Sequence, residues 1–179
     1  NNKTLKILNV GRLVDQKDQM TLLKAIKLIQ NKIPIEVLII GNGIKKNELQ
    51  NYINKNNLKK TVRIINFTNN PYKYMKKCEL FILTSIYEGL PNVLLEAQCL
   101  KKFIISTRCP TGPREILMDG KVGHLFSPTN EIELANKILD YYINKKKYDR
   151  MVNLGYKNVY RFDSEINLEK YYNLIKKYL

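Results

Sequence analysis

The sequence predicts an α/β protein, a Rossmann-like doubly wound parallel sheet of about six strands with helices on both faces. Three observations carry this reading. Short apolar runs alternate with amphipathic stretches along the whole chain. The runs are nearly continuous in apolar residues, as expected of parallel strands buried on both faces. Several of them stop at a glycine or an Asn-rich turn, which punctuates regular structure.

Taken in order, residues 5–10 form the first strand, ended by Gly11. Leu22, Ala25, Ile26 and Ile29 recur at helical spacing, and Pro34 breaks that helix. Residues 35–40 are an almost unbroken apolar strand closed by Gly41-Asn42-Gly43, and a polar helix runs on to about Asn57. Residues 62–67 read as the third strand, 72–77 as a short helix and 80–84 as the fourth strand. Pro91 opens a helix through Val93, Leu94, Ala97 and Leu100, since proline suits a first helical turn. Residues 103–106 are a fifth strand and 122–126 a weaker sixth. The tail, 130–179, is helical, with stripes at Ala135, Ile138, Leu139 and Tyr142 and at Leu168, Tyr171, Tyr172 and Ile175.

At 179 residues and 44% hydrophobic, the chain is expected to be one domain, 1–179, with a sizeable core, and wholesale disorder is excluded. No apolar run reaches the ~20 residues of a membrane span. The N-terminus carries no signal-peptide pattern and no initiator Met, which suggests a piece of a longer protein. Cys78, Cys99 and Cys109 are odd in number and show no paired spacing, which reads as reduced intracellular thiols, and makes the Asn66-Phe67-Thr68 sequon a chance match. His124 is the only histidine; it reads as a core or edge residue, and Cys and His are too few for a zinc site. The net charge of +15 favours an anionic partner, although lysines solvated on helix faces would also account for it. A basic nucleic-acid module would interleave Lys/Arg with aromatics on one face; here lysine is dispersed and tyrosine recurs at core spacing, so no nucleic-acid partner is expected.

Ligands of such sheets bind at the carboxyl ends of the strands. The candidate loops are therefore 11–18, 41–44, 66–70, 85–92 and 107–114. Arg12 and Lys17 converge at a strand end and a helix start, a pairing suited to a diphosphate, although either alone reads as solvated surface. Gly41 and Gly43 let the backbone approach a ligand, or simply make a tight turn; without a third glycine and a later acid they do not make a dinucleotide site. The segment 85–97 is the most informative. An apolar strand ends, Glu88-Gly89 turns, and a helix begins near Pro91, with Glu96 on it. Helical side chains lean toward the N-terminus, so both carboxylates can accept the hydroxyls of one ligand, a ribose or a hexose.

These residues resemble the donor-binding C-terminal half of the GT-B retaining glycosyltransferases, family 4 or group 1. The resemblance rests on Gly11-Arg12-Leu13 with Lys17, Gly41-Asn42-Gly43, the E-x7-E segment Glu88 to Glu96, and Gly112-Pro113-Arg114-Glu115 followed by Asp119-Gly120 and Gly123, and it spans the whole chain. It implies one half of a GT-B fold that binds a nucleotide-sugar donor, such as a UDP- or GDP-sugar, for hexosyl or N-acetylhexosaminyl transfer. By this resemblance Glu88 contacts the donor sugar, Glu96 holds the ribose, and Arg12 and Lys17 neutralise the diphosphate, making Glu88, Arg12 and Lys17 the catalytic set. Amides of Gly89, Leu90, Pro91, Asn92 and Val93 meet the donor, Gly11, Gly41 and Gly43 line it, and the base lies near 66–70. Proline offers only its carbonyl there. No Asp-x-Asp occurs, so cationic side chains and a helix dipole stand in for a metal, and no cofactor is expected. The resemblance further implies an N-terminal acceptor domain not contained in this chain, bacterial surface-polysaccharide or lipid-linked oligosaccharide synthesis, a cytoplasmic location compatible with the inner membrane face, and an inactive isolated fragment. A nucleotide-sugar epimerase half is the nearest alternative.

Overall fold

The apolar runs become strands because helices pack against both faces of the sheet they form. The computed structural model describes residues 3–178; Asn1, Asn2 and Leu179 of the expected single domain lie outside the described residues. The strands are β1 (Leu5–Val10), β2 (Ile35–Ile40), β3 (Val62–Ile65), β4 (Leu80–Leu83), β5 (Phe103–Thr107) and β6 (His124–Phe126). The helices are α1 (Gln19–Ile29), α2 (Lys46–Lys55), α3 (Tyr72–Lys77), α4 (Asn92–Cys99), α5 (Gly112–Ile116), α6 (Glu131–Asn144), α7 (Asp149–Asn158) and α8 (Ser164–Ile175). The six strands make one sheet in the order β3-β2-β1-β4-β5-β6, every pairing parallel. This is the doubly wound fold that the alternation predicts. Its strand order reverses between β1 and β4, and that reversal is the switch point.

The period of two along each strand divides the core. Ile7, Val37, Val62, Ile82 and Ile105 face Leu22, Ile26, Ile53 and Ile138 of α1, α2 and α6. Leu8, Ile40, Phe81, Leu83 and Ile104 face Met75, Leu94, Ala97 and Ile116 of α3, α4 and α5. Burying each such side chain contributes about 1.5–3 kcal/mol. His124 sits half-buried at the edge strand, edge-on to Phe103 at 5.0 Å, and burial holds its imidazole below the usual range.

Several boundaries differ from the sequence reading. β3 ends at Ile65, where the Ile65 carbonyl turns to accept from Gly41 N–H, and Asn66 and Phe67 are exposed. β6 starts at His124, because Val122 N–H bonds the Leu117 carbonyl at the end of α5. Pro91 caps α4 from outside it, with extended backbone. α5 was not foreseen as a helix, whereas α7 falls within the tail expected to be helical; both are short, and α7 offers only Gly155 as a fully buried residue. α8 buries none of its residues, and Tyr171, Tyr172 and Tyr178 are 69%, 65% and 84% exposed. Among the described residues no helix is long and apolar enough to cross a membrane.

Two glycines are fixed by backbone-to-backbone contact. A Cβ at Gly41 would lie 1.9 Å from the Gly11 carbonyl oxygen, and one at Gly112 would lie 2.1 Å from the Gly89 carbonyl oxygen. Gly41→Ala and Gly112→Ala should each lower stability by about 1–3 kcal/mol through overpacking. At Gly89, where a Cβ meets nothing within 4 Å, alanine should change stability by less than about 0.5 kcal/mol. Urea midpoints at constant m-value check all three.

Candidate functional site

The loops leaving β1, β4 and β5 are tied into one floor at the switch point. Behind β1, Gly11 N–H bonds the Ile40 carbonyl, and Leu13, fully buried, exchanges backbone bonds with the β2 loop through Asn42 O and Lys45 N. Gly41 and Gly43 permit this: a Cβ at Gly43 would lie 2.2 Å from the Leu13 carbonyl oxygen. Their missing side chains thus serve the approach of one loop to another, and the two glycines shape the wall of the site.

A turn of 3-10 helix, Asp15–Lys17, then carries the chain across to β4. Ile86 N–H bonds Gln16 O at 2.8 Å, the Gln16 amide donates to Tyr87 O at 3.0 Å, and the Thr84 hydroxyl donates to Lys17 O at 2.7 Å. Asp18 completes the crossing. It adopts left-handed backbone, φ 41°, and its carboxylate caps α1 by accepting from Thr21 N–H and the Thr21 hydroxyl.

At the centre, Lys17 Nζ meets Glu88 Oε1 at 2.5 Å, and the Ser85 hydroxyl donates to the same oxygen at 2.6 Å. The two charged side chains are only 15% and 8% exposed. Low accessibility strengthens the pair and makes either partner costly to leave alone. Glu88 is held on its other side by the β5 loop, with its N–H on Pro110 O and its carbonyl accepting from Thr111 N–H; Gly112 N–H reaches Gly89 O. The Thr107 hydroxyl donates to Ser85 O at 2.6 Å and locks the strand ends together.

Arg12 lies exposed at the rim, its guanidinium 3.4 Å from Gln16 Oε1. Beyond Glu88, Gly89 and Leu90 are exposed and lead into α4, whose N-terminus no side chain caps. A helix start carries free N–H groups and a partial positive charge, here at Asn92 and Val93. Glu96 follows one turn later, half-buried, and accepts from the Tyr72 hydroxyl at 3.4 Å. The Glu96 charge raises the Tyr72 phenol above its ordinary range.

The structure therefore gathers Gly11, Lys17, Glu88 and Gly89 at the switch point, with Arg12 on one side and Leu90, Pro91, Asn92 and Val93 on the other. Glu96 pairs with Tyr72 at the head of α3, next to the 66–70 loop. Gln16, Ser85 and Tyr72 were not singled out from the sequence. A serine three residues before Glu88 at an apolar strand end was a signal for the second; the other two carried none. Among the described residues, no cluster of three or more His, Cys, Asp or Glu side chains is placed to hold a metal ion.

This arrangement offers a fixed ammonium, an exposed guanidinium and a helix start for an anion with two adjacent charges, and two carboxylates for hydroxyls. Lys17 has three N–H donors, so it can keep Glu88 while receiving a phosphate oxygen. The family model described as "Glycosyl transferases group 1" matches residues 1–158. An uncharacterized glycosyltransferase of Methanocaldococcus jannaschii is 44% identical over 62% of this chain and 27% of its own length. The N-acetylgalactosamine-N,N'-diacetylbacillosaminyl-diphospho-undecaprenol 4-alpha-N-acetylgalactosaminyltransferase of Campylobacter jejuni is 38% identical over 70% of this chain and 34% of its own length. The solved structure of S. aureus TarM with Fondaparinux, alpha-GlcNAc-glycerol and UDP superimposes with a TM-score of 0.87 at 26% identity, over 94% of this chain and 35% of that one. The chain thus spans about a third of the length of these relatives.

If the Lys17–Glu88 pair holds the loops together, removing either partner strands a buried group. Lys17→Ala and Glu88→Ala should each cost about 1–3 kcal/mol. The double variant should cost clearly less than the sum, with a coupling of about 0.5–3 kcal/mol in a double-mutant cycle by denaturation. Simple additivity would mean that the pair contributes nothing.

Proposed function

The chain belongs to the group 1 glycosyl transferases, and from that premise we propose that it is the half of a longer enzyme that binds the nucleotide-sugar donor. The observation that carries the reading is the Lys17–Glu88 junction at the β1/β4 switch point, beside the uncapped start of α4. Lys17 and Arg12 receive the diphosphate, and the amides opening α4 meet its outer oxygens and those of the sugar. Glu88 orients the sugar, with Lys17 and Ser85 fixing its carboxylate. Glu96 holds the ribose hydroxyls, with Tyr72 beside it, and the base lies toward 66–70. When the glycosidic bond breaks, negative charge grows on the departing diphosphate. Lys17, Arg12 and the α4 dipole stabilise it in place, without a metal or other cofactor.

The acceptor half lies in the remainder of a longer protein, a reading supported by relatives of whose length this chain spans only about a third. Transfer needs both reactants held in one cleft, so this chain by itself binds donor and transfers nothing. The C. jejuni relative is named for transfer of N-acetylgalactosamine to a saccharide carried on diphospho-undecaprenol. By analogy the sugar here is a hexose or N-acetylhexosamine, and the product a bacterial surface polysaccharide or a lipid-linked oligosaccharide. The enzyme would work in the cytoplasm, at the inner face of the membrane where such acceptors are held.

Calorimetric titration of the chain with UDP, GDP and their nucleosides tests this. One diphosphate should bind, unchanged by EDTA. Lys17→Ala should weaken it roughly 10- to 150-fold, the value of a charge-assisted contact, and leave the nucleoside nearly untouched. Equal weakening of both would show that Lys17 does not touch phosphate.

A further inference from the structure

The helix between β3 and β4 is too short for the sheet it should cover. α3 has 6 residues, whereas β1 and β2 have 6 each in extended form. At about 1.5 Å per helical and 3.3 Å per strand residue, α3 spans roughly 9 Å against roughly 20 Å of strand. Parallel sheets ordinarily have both faces covered. Here the amino ends of β1, β2 and β3 are left open on the α3 side, and a cavity of about 440 Å³ lies over them. The parallel register puts Leu8, Leu38 and Arg63 on one line of that face, and Lys6 beside Glu36 on the next.

The opening is lined with charge. The cavity is lined by Lys6, Lys59, Lys60, Arg63 and Lys77, opposed by Glu36 alone, over a floor that includes Leu38 with Tyr74 on the wall. All six charged residues are exposed, and among the described residues none of the five cations is in an ion pair or a side-chain hydrogen bond. Elsewhere the same chain does pair its cations, as at Lys45 with Asp15 and Glu48, or Lys145 with Glu79. Five like charges around one concavity repel one another and concentrate an anion inside it.

We propose that this groove is a second anion site, taking a small ligand with several phosphate groups. It lies toward the end of the sheet opposite the donor cleft, its lining residues Lys6 to Leu8 roughly 10–17 Å from Gly11 along β1. A cavity of this size admits a small molecule. Because the cations ring a concavity, a compact oligophosphate can reach several at once, whereas a flat bilayer would meet only the rim. The proposal does not depend on the donor reading.

The test uses sodium tripolyphosphate, titrated calorimetrically into the chain at low ionic strength. Three variants accompany it. Lys59→Gln/Lys60→Gln/Lys77→Gln empties the groove's rim. Lys27→Gln/Lys32→Gln/Lys157→Gln removes the same charge from exposed positions elsewhere. Arg12→Gln alters the donor cleft. All replaced residues are exposed, and unchanged urea midpoints confirm folding. The groove variant should lose about tenfold or more in affinity, as expected when charge-assisted contacts go, and the control lysine triple less than about twofold, each in both the wild-type and the Arg12→Gln background. Equal losses in both lysine triples would reduce the binding to net charge and overturn the site. Loss only in Arg12→Gln would put the ion in the donor cleft and likewise overturn it. So would binding to phosphatidylglycerol vesicles without any binding of tripolyphosphate.

Discussion

β1 and β4 are neighbours in the sheet although the chain makes two other strands between them, and the Lys17–Glu88 pair joins the loops that leave them. A doubly wound sheet must part its loops at this reversal, since connections on either side run in opposite directions. The resulting crevice would expose strand ends and buried hydroxyls to water unless something closed its base. Here Lys17 and Glu88 do so, with Ser85, Thr84 and Thr107 satisfying the backbone and carboxylate around them. Once that junction is set, the positions of Arg12, Gly89 and the start of α4 follow from chain connectivity.

The same junction explains how a pair that stabilises the fold can also serve a ligand. A lysine fully spent on one carboxylate would be a structural staple. Lys17, however, reaches Glu88 through one of three donors, and the neighbouring Arg12 and α4 amides are not spent on carboxylates. The folded chain thus holds its ammonium in position without a ligand, so on the proposed reading the cost of ordering that long side chain falls on folding rather than on diphosphate binding.

Much of this was legible in the sequence because the governing signals are short-range. Continuous apolar runs marked the parallel strands, and the glycine stops marked their carboxyl ends, where the ligand loops begin. Glu88 and Glu96 stood out because a Gly-Leu-Pro turn separates a loop from a helix in one short segment. What was missed depends on contacts distant in sequence. Gln16 gains its role only when β1 meets β4, and Tyr72 only when α3 comes beside α4; Ser85, whose partner Glu88 lies three residues on, is the exception. Gly41 and Gly43 suggested a ligand's approach, whereas the near neighbours are the Gly11 and Leu13 carbonyls, a contact no local pattern encodes. The shortness of α3 was visible, yet the opening it leaves over β1–β3 appears only with the strand register.

The central claim is that the Lys17–Glu88 junction is where a nucleoside diphosphate lands. Amide chemical-shift mapping of the 15N-labelled chain during titration with UDP tests it most directly. The largest shifts should fall in residues 11–17 and 89–93, at the carboxyl ends of β1 and β4, with residues 59–60 at the far end of the sheet unmoved. Shifts confined to other parts of the molecule, with 11–17 and 89–93 silent, would contradict it.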